Sequence, residues 1–349
     1  MAYTTIKKPS DYFNTVTYTG TAGGQTISGV GHQPDFIWVK QKGDAGYDHS
    51  LHNSVSGLLK QLISNSTAAE ITNTDTVTSN NSDGFVLGAD TAGPNANSNN
   101  QDTKNYVAWN WKANGAGVAN TDGTISSTVS ANTTSGFSIV SYTGNGTGNS
   151  TIGHGLGATP KFIIVKNLTT AQAWGTYSPS FVSASEPRVL YLNATSSYAN
   201  DTNVWGTSAA FNDNTFTVGD WNGSNQSSSS FIAYCFAEKQ GYSKFGSYIG
   251  NGNADGSFIY TGFKPAFVMV KRSDGVDDWV TFDNKRNGFN GNNTFLKPNT
   301  SEADSSVTTY IDLLSNGFKP RNSWGSLNTS GGTYIYMAFA EEPLVGDNP

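Results

Sequence analysis

The chain has 349 residues, of which 13% are charged and 39 are glycine, and its formal net charge is −6. This acidic balance supplies no basic stripe for phosphates, which argues against nucleic acid as a partner. The sequence has no apolar run of membrane-spanning length and no secretion signal at residues 1–6, so we expect folding in a cytoplasm, with Cys235 as a buried hydrophobe.

The composition favours short strands joined by polar turns. β-branched and aromatic residues suit strands, while Gly and Asn supply turns that need positive φ. One motif occurs three times along the chain: Tyr-x-Gly, then Pro-x-Phe at the start of a strand that ends in Val-Lys. The copies lie at residues 18–40, 142–166 and 248–271. In each such strand the side chains alternate between two faces, in the pattern of a mostly buried strand.

Each copy also closes on a strand rich in aromatic residues. These closing strands lie at residues 106–111, 231–236 and 334–339. Landmarks kept in the same order predict an all-β fold of three tandem β-sandwich, jelly-roll-like modules, each of about 100 residues. The predicted boundaries are an N-terminal attachment segment at 1–14, modules at 15–115, 136–241 and 242–349, and a linker at 116–135.

The glycine-rich run at residues 141–157 raises the question of a phosphate-binding loop. Such a loop needs a helix directly after the glycines, because the helix N-terminus supplies the anion site. Here the strand-forming segment 161–166 follows instead. We therefore interpret the glycines as turn chemistry before a strand.

Helix-like periodicity is confined to two stretches. In 305–315, Val307, Tyr310, Ile311 and Leu314 follow a spacing of three and four residues, which predicts a helix. A second short helix is predicted at 56–63 on the same grounds.

Titratable residues give weak signals of chemistry. His49 and His52 form the only histidine cluster, and in an extended chain they point to opposite faces, which suits zinc poorly. The neighbouring acids 277–278 and 341–342 do not converge across a cleft as glycosidase carboxylates do. We predict no catalytic, cofactor-binding or metal-binding residue and no enzymatic activity.

The tryptophans allow two interpretations. Trp109 and Trp111 lie in a closing strand, where a core role is expected. Trp174, Trp279 and Trp324 are predicted to stack on sugar rings if they are exposed.

Several runs together resemble a repeat-built family of tailed-bacteriophage virion proteins, abundant in marine and cyanobacterial phages and usually labelled tail fibre or minor structural protein. The runs are AYTTIKKPSDYF, YTGNGTGNSTIGHGLGATPKFIIVKN, FIAYCFAEKQGYSKFGSYIGNG, YTGFKPAFVMVKR and GGTYIYMAFAEEP. The resemblance covers nearly the whole chain. It implies a virion component made in the bacterial cytoplasm and assembled with other virion proteins.

From this resemblance we expect a non-enzymatic structural protein presented outward, as a tail fibre or spike or as a head fibre or capsid decoration. We further expect a homo-oligomer, specifically a trimer, and contact with host surface glycan. The alternative is a carbohydrate-binding or polysaccharide-depolymerising protein. Assembly contacts are predicted at residues outside the repeat landmarks: Tyr3, Ile6, Tyr12 and Phe13.

Overall fold

A computed structural model describes residues 4–91, 98–183, 185–207, 210–286, 290, 293–306 and 309–343. The predicted all-β fold is confirmed: antiparallel strands dominate, and the helices are single turns. We call residues 13–111 repeat 1, residues 137–236 repeat 2 and residues 243–343 repeat 3. No helix in the described part of the chain is long and apolar enough to cross a membrane.

A 3₁₀ turn at Pro9–Asp11 precedes the strands of repeat 1. These are β1 (Phe13–Thr19), β2 (Gln25–Ile27), β3 (Phe36–Gln41), β4 (Ser50–Asn53), β5 (Lys60–Gln61), β6 (Ile71–Thr72), β7 (Val77–Asn81), β8 (Gly84–Leu87) and β9 (Asn105–Trp111). Two further strands precede repeat 2, namely β10 (Val118–Asn120) and β11 (Ser127–Asn132).

Repeat 2 contains seven strands other than its closing strand, and two helical turns. They are β12 (Phe137–Thr143), β13 (Ser150–Gly153), β14 (Phe162–Asn167), β15 (Gly175–Tyr177), β16 (Arg188–Tyr191), β17 (Ala199–Asn200), α1 (Thr202–Trp205), β18 (Thr215–Val218) and α2 (Asn222–Asn225), followed by the closing strand β19 (Ser230–Phe236).

Repeat 3 follows after a short connection. Its elements are β20 (Ser243–Ile249), β21 (Ile259–Tyr260), β22 (Phe263–Arg272), β23 (Trp279–Asp283), β24 (Thr294–Phe295), β25 (Ser305–Ser306), β26 (Ile311–Leu314), β27 (Gly317–Pro320), α3 (Gly325–Asn328) and β28 (Thr333–Pro343).

The main sheets of the three repeats have the same strand order. In each, the closing strand lies between the opening strand and the Pro-x-Phe strand: β1-β9-β3-β4, β12-β19-β14-β15 and β20-β28-β22-β23. A smaller sheet covers the outer face of each main sheet, built on β2-β8, β13-β18 and β21-β27. Equal pairing order is the expected result of three copies of one sequence.

The inner faces of the three main sheets meet in one shared core. Its centre is a triangle of aromatic rings contributed by the same position of each closing strand. The ring centroids of Trp111, Phe236 and Phe339 lie 6.4, 5.7 and 5.9 Å apart, and all three side chains are buried. The repeats therefore surround a common axis and share one interior.

The Tyr-x-Gly motif connects each opening strand to the closing strand of the same repeat and to the segment just before it. Tyr142 stacks on Phe231 at 5.1 Å and its hydroxyl donates to Ser224 O at 2.6 Å. Two residues later, a Cβ on Gly144 would come within 2.3 Å of Gln226 O. This close backbone approach explains the glycine. The equivalent contacts in the other repeats join Tyr18 to Asn99 O and Tyr248 to Leu327 O.

Two sequence predictions are wrong. Residues 305–306 and 311–314 are strands, and 56–63 consists of turns and β5, so neither stretch is the predicted helix. In β26, Ile311 and Leu313 are buried and alternate with less buried neighbours, so tertiary packing favours the strand period over the helical one.

The segment 116–135 was predicted as a linker. It contains β10 and β11, and β11 pairs with β12.

Candidate functional site

Polar side chains are buried at the junctions between the repeats, where they form hydrogen bonds from one repeat to the next. We call these junctions seams 1–2, 2–3 and 3–1, after the repeats that they join. Their contacts close a ring, because each repeat bonds to both of the others. Backbone bonds cross every seam: Glu70 N to Leu168 O, Tyr198 N to Ser273 O, and Gly46 N to Ser301 O.

One position at the start of the fourth main strand reaches across each seam. In repeats 2 and 3 it is a tryptophan, whose indole N–H donates to a carbonyl of the preceding repeat. Trp174 Nε1 lies 3.0 Å from Ile63 O and 3.0 Å from Ser66 O, and Trp279 Nε1 lies 3.0 Å from Tyr191 O.

The equivalent position in repeat 1 is His49, and its Nε2 lies 3.0 Å from Lys297 O. The indole of Trp38 donates to His49 Nδ1 at 2.9 Å, so the hydrogen of the neutral imidazole is on Nε2 and points across the seam. Burial holds the pKa of His49 well below its usual range, and the nearby Lys40 lowers it further.

An asparagine orients each of these three residues. The backbone N–H of His49, Trp174 and Trp279 donates to an asparagine Oδ1 at 2.9 Å in every repeat. The acceptors are Asn65, Asn193 and Asn299.

Three lysines occupy the last inward position of the Pro-x-Phe strands and are fully buried. They are Lys40, Lys166 and Lys271. Lys166 Nζ donates to Asn167 O and Gln172 O in its own repeat and to Thr67 O across seam 1–2, at 2.9–3.0 Å. Backbone carbonyls thus take the place of a carboxylate partner. Burial lowers the pKa of each of the three lysines to about 8.

The other two lysines differ in how they cross their seams. Lys271 Nζ donates to Thr195 O across seam 2–3 at 3.1 Å and to Arg272 O at 2.7 Å. Lys40 Nζ donates to Gln41 O, in its own repeat, at 2.8 Å. Seam 3–1 is thus held by other groups.

A buried ion pair lies in seam 3–1. Arg286 Nε donates to Asp283 Oδ2 at 2.7 Å, and both side chains are at most 1% exposed. The indole of Trp109, from repeat 1, donates to the same Asp283 oxygen at 3.0 Å. The Arg286 guanidinium also lies 5.6 Å from the centre of the Trp109 ring. One carboxylate therefore binds both repeats.

The three tryptophans predicted to stack on sugar rings are not exposed as that role requires. Trp174 and Trp279 are buried in the seams, at 0% and 1% exposure, so that prediction is wrong for both. Trp324 is half-buried and packs against Phe295 and Tyr310. A buried indole that bonds a neighbouring repeat offers no face to a sugar.

The predicted assembly contacts are also largely interior. Ile6 and Phe13 are 1% exposed in the shared core, so neither is available to a partner and the prediction is wrong for them. Tyr12 is half-buried and its ring lies 6.1 Å from that of Tyr242. Tyr3 lies outside the described residues.

The remaining candidate groups have structural bonds. His52 Nδ1 lies 2.9 Å from Leu58 O, and burial lowers its pKa to about 4. Asp277 and Asp278 bind Arg272 and Lys297. Cys235 is buried, and burial raises the pKa of its thiol strongly. No group of three or more His, Cys, Asp or Glu that could hold a metal was found in the described residues.

The sequence analysis did not identify the buried lysines, or the position of His49, Trp174 and Trp279, as contacts between repeats. A usable signal was present, because the same strand position carries lysine in all three copies, at Lys40, Lys166 and Lys271. Buried lysines are rare unless partnered, so a repeated lysine in a buried strand predicts acceptors contributed by another segment.

A family model described as "Domain of unknown function (DUF7483)" matches residues 8–343. No significant match was found among curated proteins, and none among solved structures.

Proposed function

Because the chain belongs to the DUF7483 family, whose function is not described, we propose its function from its seams: it is a non-enzymatic structural protein. The supporting observation is the use of its buried polar groups. Lys166, Lys271 and Asp283 bond across the seams and join the repeats into one body. Side chains that are bonded in this way stabilise the fold and are not available to bind a substrate.

We further propose that each repeat is one β-sandwich module and that the protein is displayed on the surface of a tailed-bacteriophage virion. The sequence resemblance supports the virion assignment. Display takes the form of a tail fibre or spike, or of a head fibre or capsid decoration. Other virion proteins are its partners, and synthesis takes place in the host bacterial cytoplasm.

The predicted homotrimer remains part of the proposal. One chain already brings three equivalent strands around an axis, at Trp111, Phe236 and Phe339. These residues are buried, so the trimer rests on the sequence resemblance and not on this internal arrangement. Contact with host glycan is retained, with Trp324 as the remaining predicted stacking residue. The alternative is a polysaccharide-binding or depolymerising protein, but Asp277 and Asp278, the neighbouring acids considered from the sequence, form ion pairs with Arg272 and Lys297.

The test is to purify the particles that carry this gene product, identify their proteins by mass spectrometry and locate the copies by cryo-electron microscopy. We expect the chain at stoichiometric level, with density on the tail or on the capsid surface. Absence from purified particles, with the protein abundant in the lysate, would refute the virion assignment. Hydrolysis of host polysaccharide by the purified chain would refute the non-enzymatic assignment.

A further inference from the structure

The edge of repeat 3 differs from the corresponding edges of the other two repeats. The opening strands β1, β12 and β20 each lie at the same position in their main sheets. In repeat 2 the outer edge of β12 is covered by β11, with Ser127–Asn132 paired to Phe137–Thr143. The edges of β1 and β20 have no such strand among the described residues.

In repeat 2 the covering segment also fills the gap between the two sheets. Ile125 N donates to Thr151 O at 3.0 Å on β13, next to the buried Ile152. Val129 is 4% exposed, and its Cγ1 would lie 3.0 Å from a Cβ on Gly155. Ile125 and Val129 thus belong to the shared core although they come from outside the repeat.

Repeat 1 closes the same gap with a side chain. Asn14 Nδ2 donates to Gly29 O and Val30 O, at 3.3 and 3.1 Å, and so bridges β1 to the chain after β2. Asn14 Oδ1 accepts the outward-pointing N–H of Thr15 at 2.9 Å. The side chain therefore occupies both the gap and the donor that an added strand would use.

In repeat 3 the gap is open. A groove of about 410 Å³ lies there, lined by residues of β20, β21 and the preceding connection. Its lining includes Glu238, Ser243, Lys244, Tyr260 and Thr261.

The first two outward N–H groups of β20 are bonded within the chain: Ser243 N donates to Lys239 O at 2.9 Å, and Phe245 N donates to Glu238, which also binds the Lys244 ammonium at 2.6 Å. The outward N–H groups of Ser247 and Ile249 have no partner among the described residues, so these are the donors that an added strand would use.

Beside this groove, repeat 3 carries exposed apolar side chains at positions where repeat 1 carries polar ones. Ile249, Phe258 and Tyr260 are 56%, 46% and 51% exposed. Strand pairing aligns Phe258 and Tyr260 with Thr26 and Ser28 in repeat 1, which are polar and exposed. An apolar surface beside an unpaired strand edge is typical of a binding site.

We propose that the β20 edge and its groove bind an extended strand from a partner protein by β-augmentation. The partner strand runs antiparallel to β20 and alternates small polar with apolar side chains, as the consecutive residues 128–131 (Thr-Val-Ser-Ala) do in β11. One apolar side chain fills the groove in the way that Val129 fills its counterpart. Main-chain hydrogen bonds to the edge supply affinity, and the groove supplies selectivity. This inference is independent of the virion assignment.

The test uses a fluorescent synthetic peptide of residues 124–132, with the full-length chain, measured by fluorescence anisotropy. We expect saturable binding to the wild type. Ser247 lies two residues beyond Phe245, so its N–H also points outward; Ser247→Pro removes that donor without removing a bond to β28. We expect this variant to lose at least tenfold in affinity.

The matched control is Thr17→Pro, the same position on the closed edge of repeat 1, which should bind the peptide as the wild type does. A peptide carrying Val129→Lys should not bind. If Ser247→Pro fails to fold, hydrogen exchange of the Ser247 and Ile249 amides in the wild type replaces it, and peptide should slow both.

Three results would overturn the proposal. They are absence of saturable binding to the wild type, equal loss of affinity in Thr17→Pro and Ser247→Pro, and a wild-type dimer that Ser247→Pro dissociates. The last result would assign the edge to a second copy of this chain.

Discussion

Seam 3–1 joins the first and last repeats, whereas seams 1–2 and 2–3 join repeats that follow each other in the chain. The consecutive seams are bridged by neutral indoles, Trp174 and Trp279, and by lysine bonds to carbonyls. Seam 3–1 is bridged by an imidazole, His49, and by the Trp109 indole, which donates to the carboxylate of a buried ion pair within repeat 3. The same backbone position can therefore be closed by different chemistry, and in the ring-closing seam that position is a histidine, which acid can protonate.

The largest effect is expected at the buried ion pair. Asp283→Ala leaves Arg286 charged and unpaired in the interior and removes the acceptor of the Trp109 indole. Breaking such a pair costs about 3–5 kcal/mol of unfolding free energy. Urea unfolding followed by tryptophan fluorescence measures it. The control is Glu186→Gln in the exposed Arg188 pair, which should change stability by less than about 1 kcal/mol. Equal effects of the two substitutions would contradict the assigned role of Asp283.

The next effect is expected at the consecutive seams. Trp174→Phe keeps an aromatic ring but leaves Ile63 O and Ser66 O without their indole donor, at a cost of about 1–3 kcal/mol. Trp279→Phe should cost a similar amount, since Tyr191 O loses its donor in the same way. The free energies of unfolding in urea test both. A stability unchanged in either variant would show that its seam bond contributes nothing.

Acid should weaken seam 3–1 through His49. The unfolded chain protonates His49 near pH 6.5, whereas burial keeps it neutral in the folded chain to a much lower pH. The unfolded state thus binds more protons below pH 6.5, and the free energy of unfolding falls as the pH falls through that window. His49→Gln retains a donor and an acceptor but does not titrate.

Unfolding free energies of wild type and His49→Gln at pH 7 and pH 5 give the measurement. We expect the variant to lose less stability between the two values. His52 and the other histidines continue to contribute in both proteins, so part of the acid dependence remains. An identical pH dependence in the two proteins would locate the acid sensitivity elsewhere.

The smallest change in stability is expected when His49 of seam 3–1 is replaced by the tryptophan that occupies this position in the other two seams. Where repeat 1 has Trp38, the aligned positions of repeats 2 and 3 carry Ile164 and Met269. The double variant Trp38→Ile with His49→Trp roughly conserves volume, and its stability should remain within about 1.5 kcal/mol of wild type. His49→Trp alone should be less stable, because the Trp38 indole loses its acceptor. A double variant no better than the single one would refute this coupling.

The strands were the predictable part of the fold. Pro-x-Phe and the closing aromatic segments became β3, β14 and β22 and β9, β19 and β28. Their alternation and turn residues are local properties, so a sequence can show them. The error at 305–315 has the opposite cause: a short apolar stretch fits two periods, and burial of Ile311 and Leu313 decided between them.

The candidate site was not predictable in the same way. Burial of Trp174 depends on carbonyls of repeat 1 more than 100 residues earlier, and burial of Lys271 depends on Thr195. Composition contains no information on such pairings. The three aligned lysines indicated that acceptors exist, but only the arrangement of the repeats shows which segments supply them.

The shared core has a consequence for synthesis. Repeat 1 leaves the ribosome first, yet Trp109 and Trp111 are covered by residues of repeats 2 and 3. Seam 3–1 pairs Gly43 with Asp304, a separation of 261 residues. Translation at about 5–20 residues per second therefore leaves an aromatic face of the nascent chain uncovered for roughly ten seconds or more. Expression of this protein should consequently depend on the chaperones that bind nascent apolar surface, and pauses late in translation should increase aggregation.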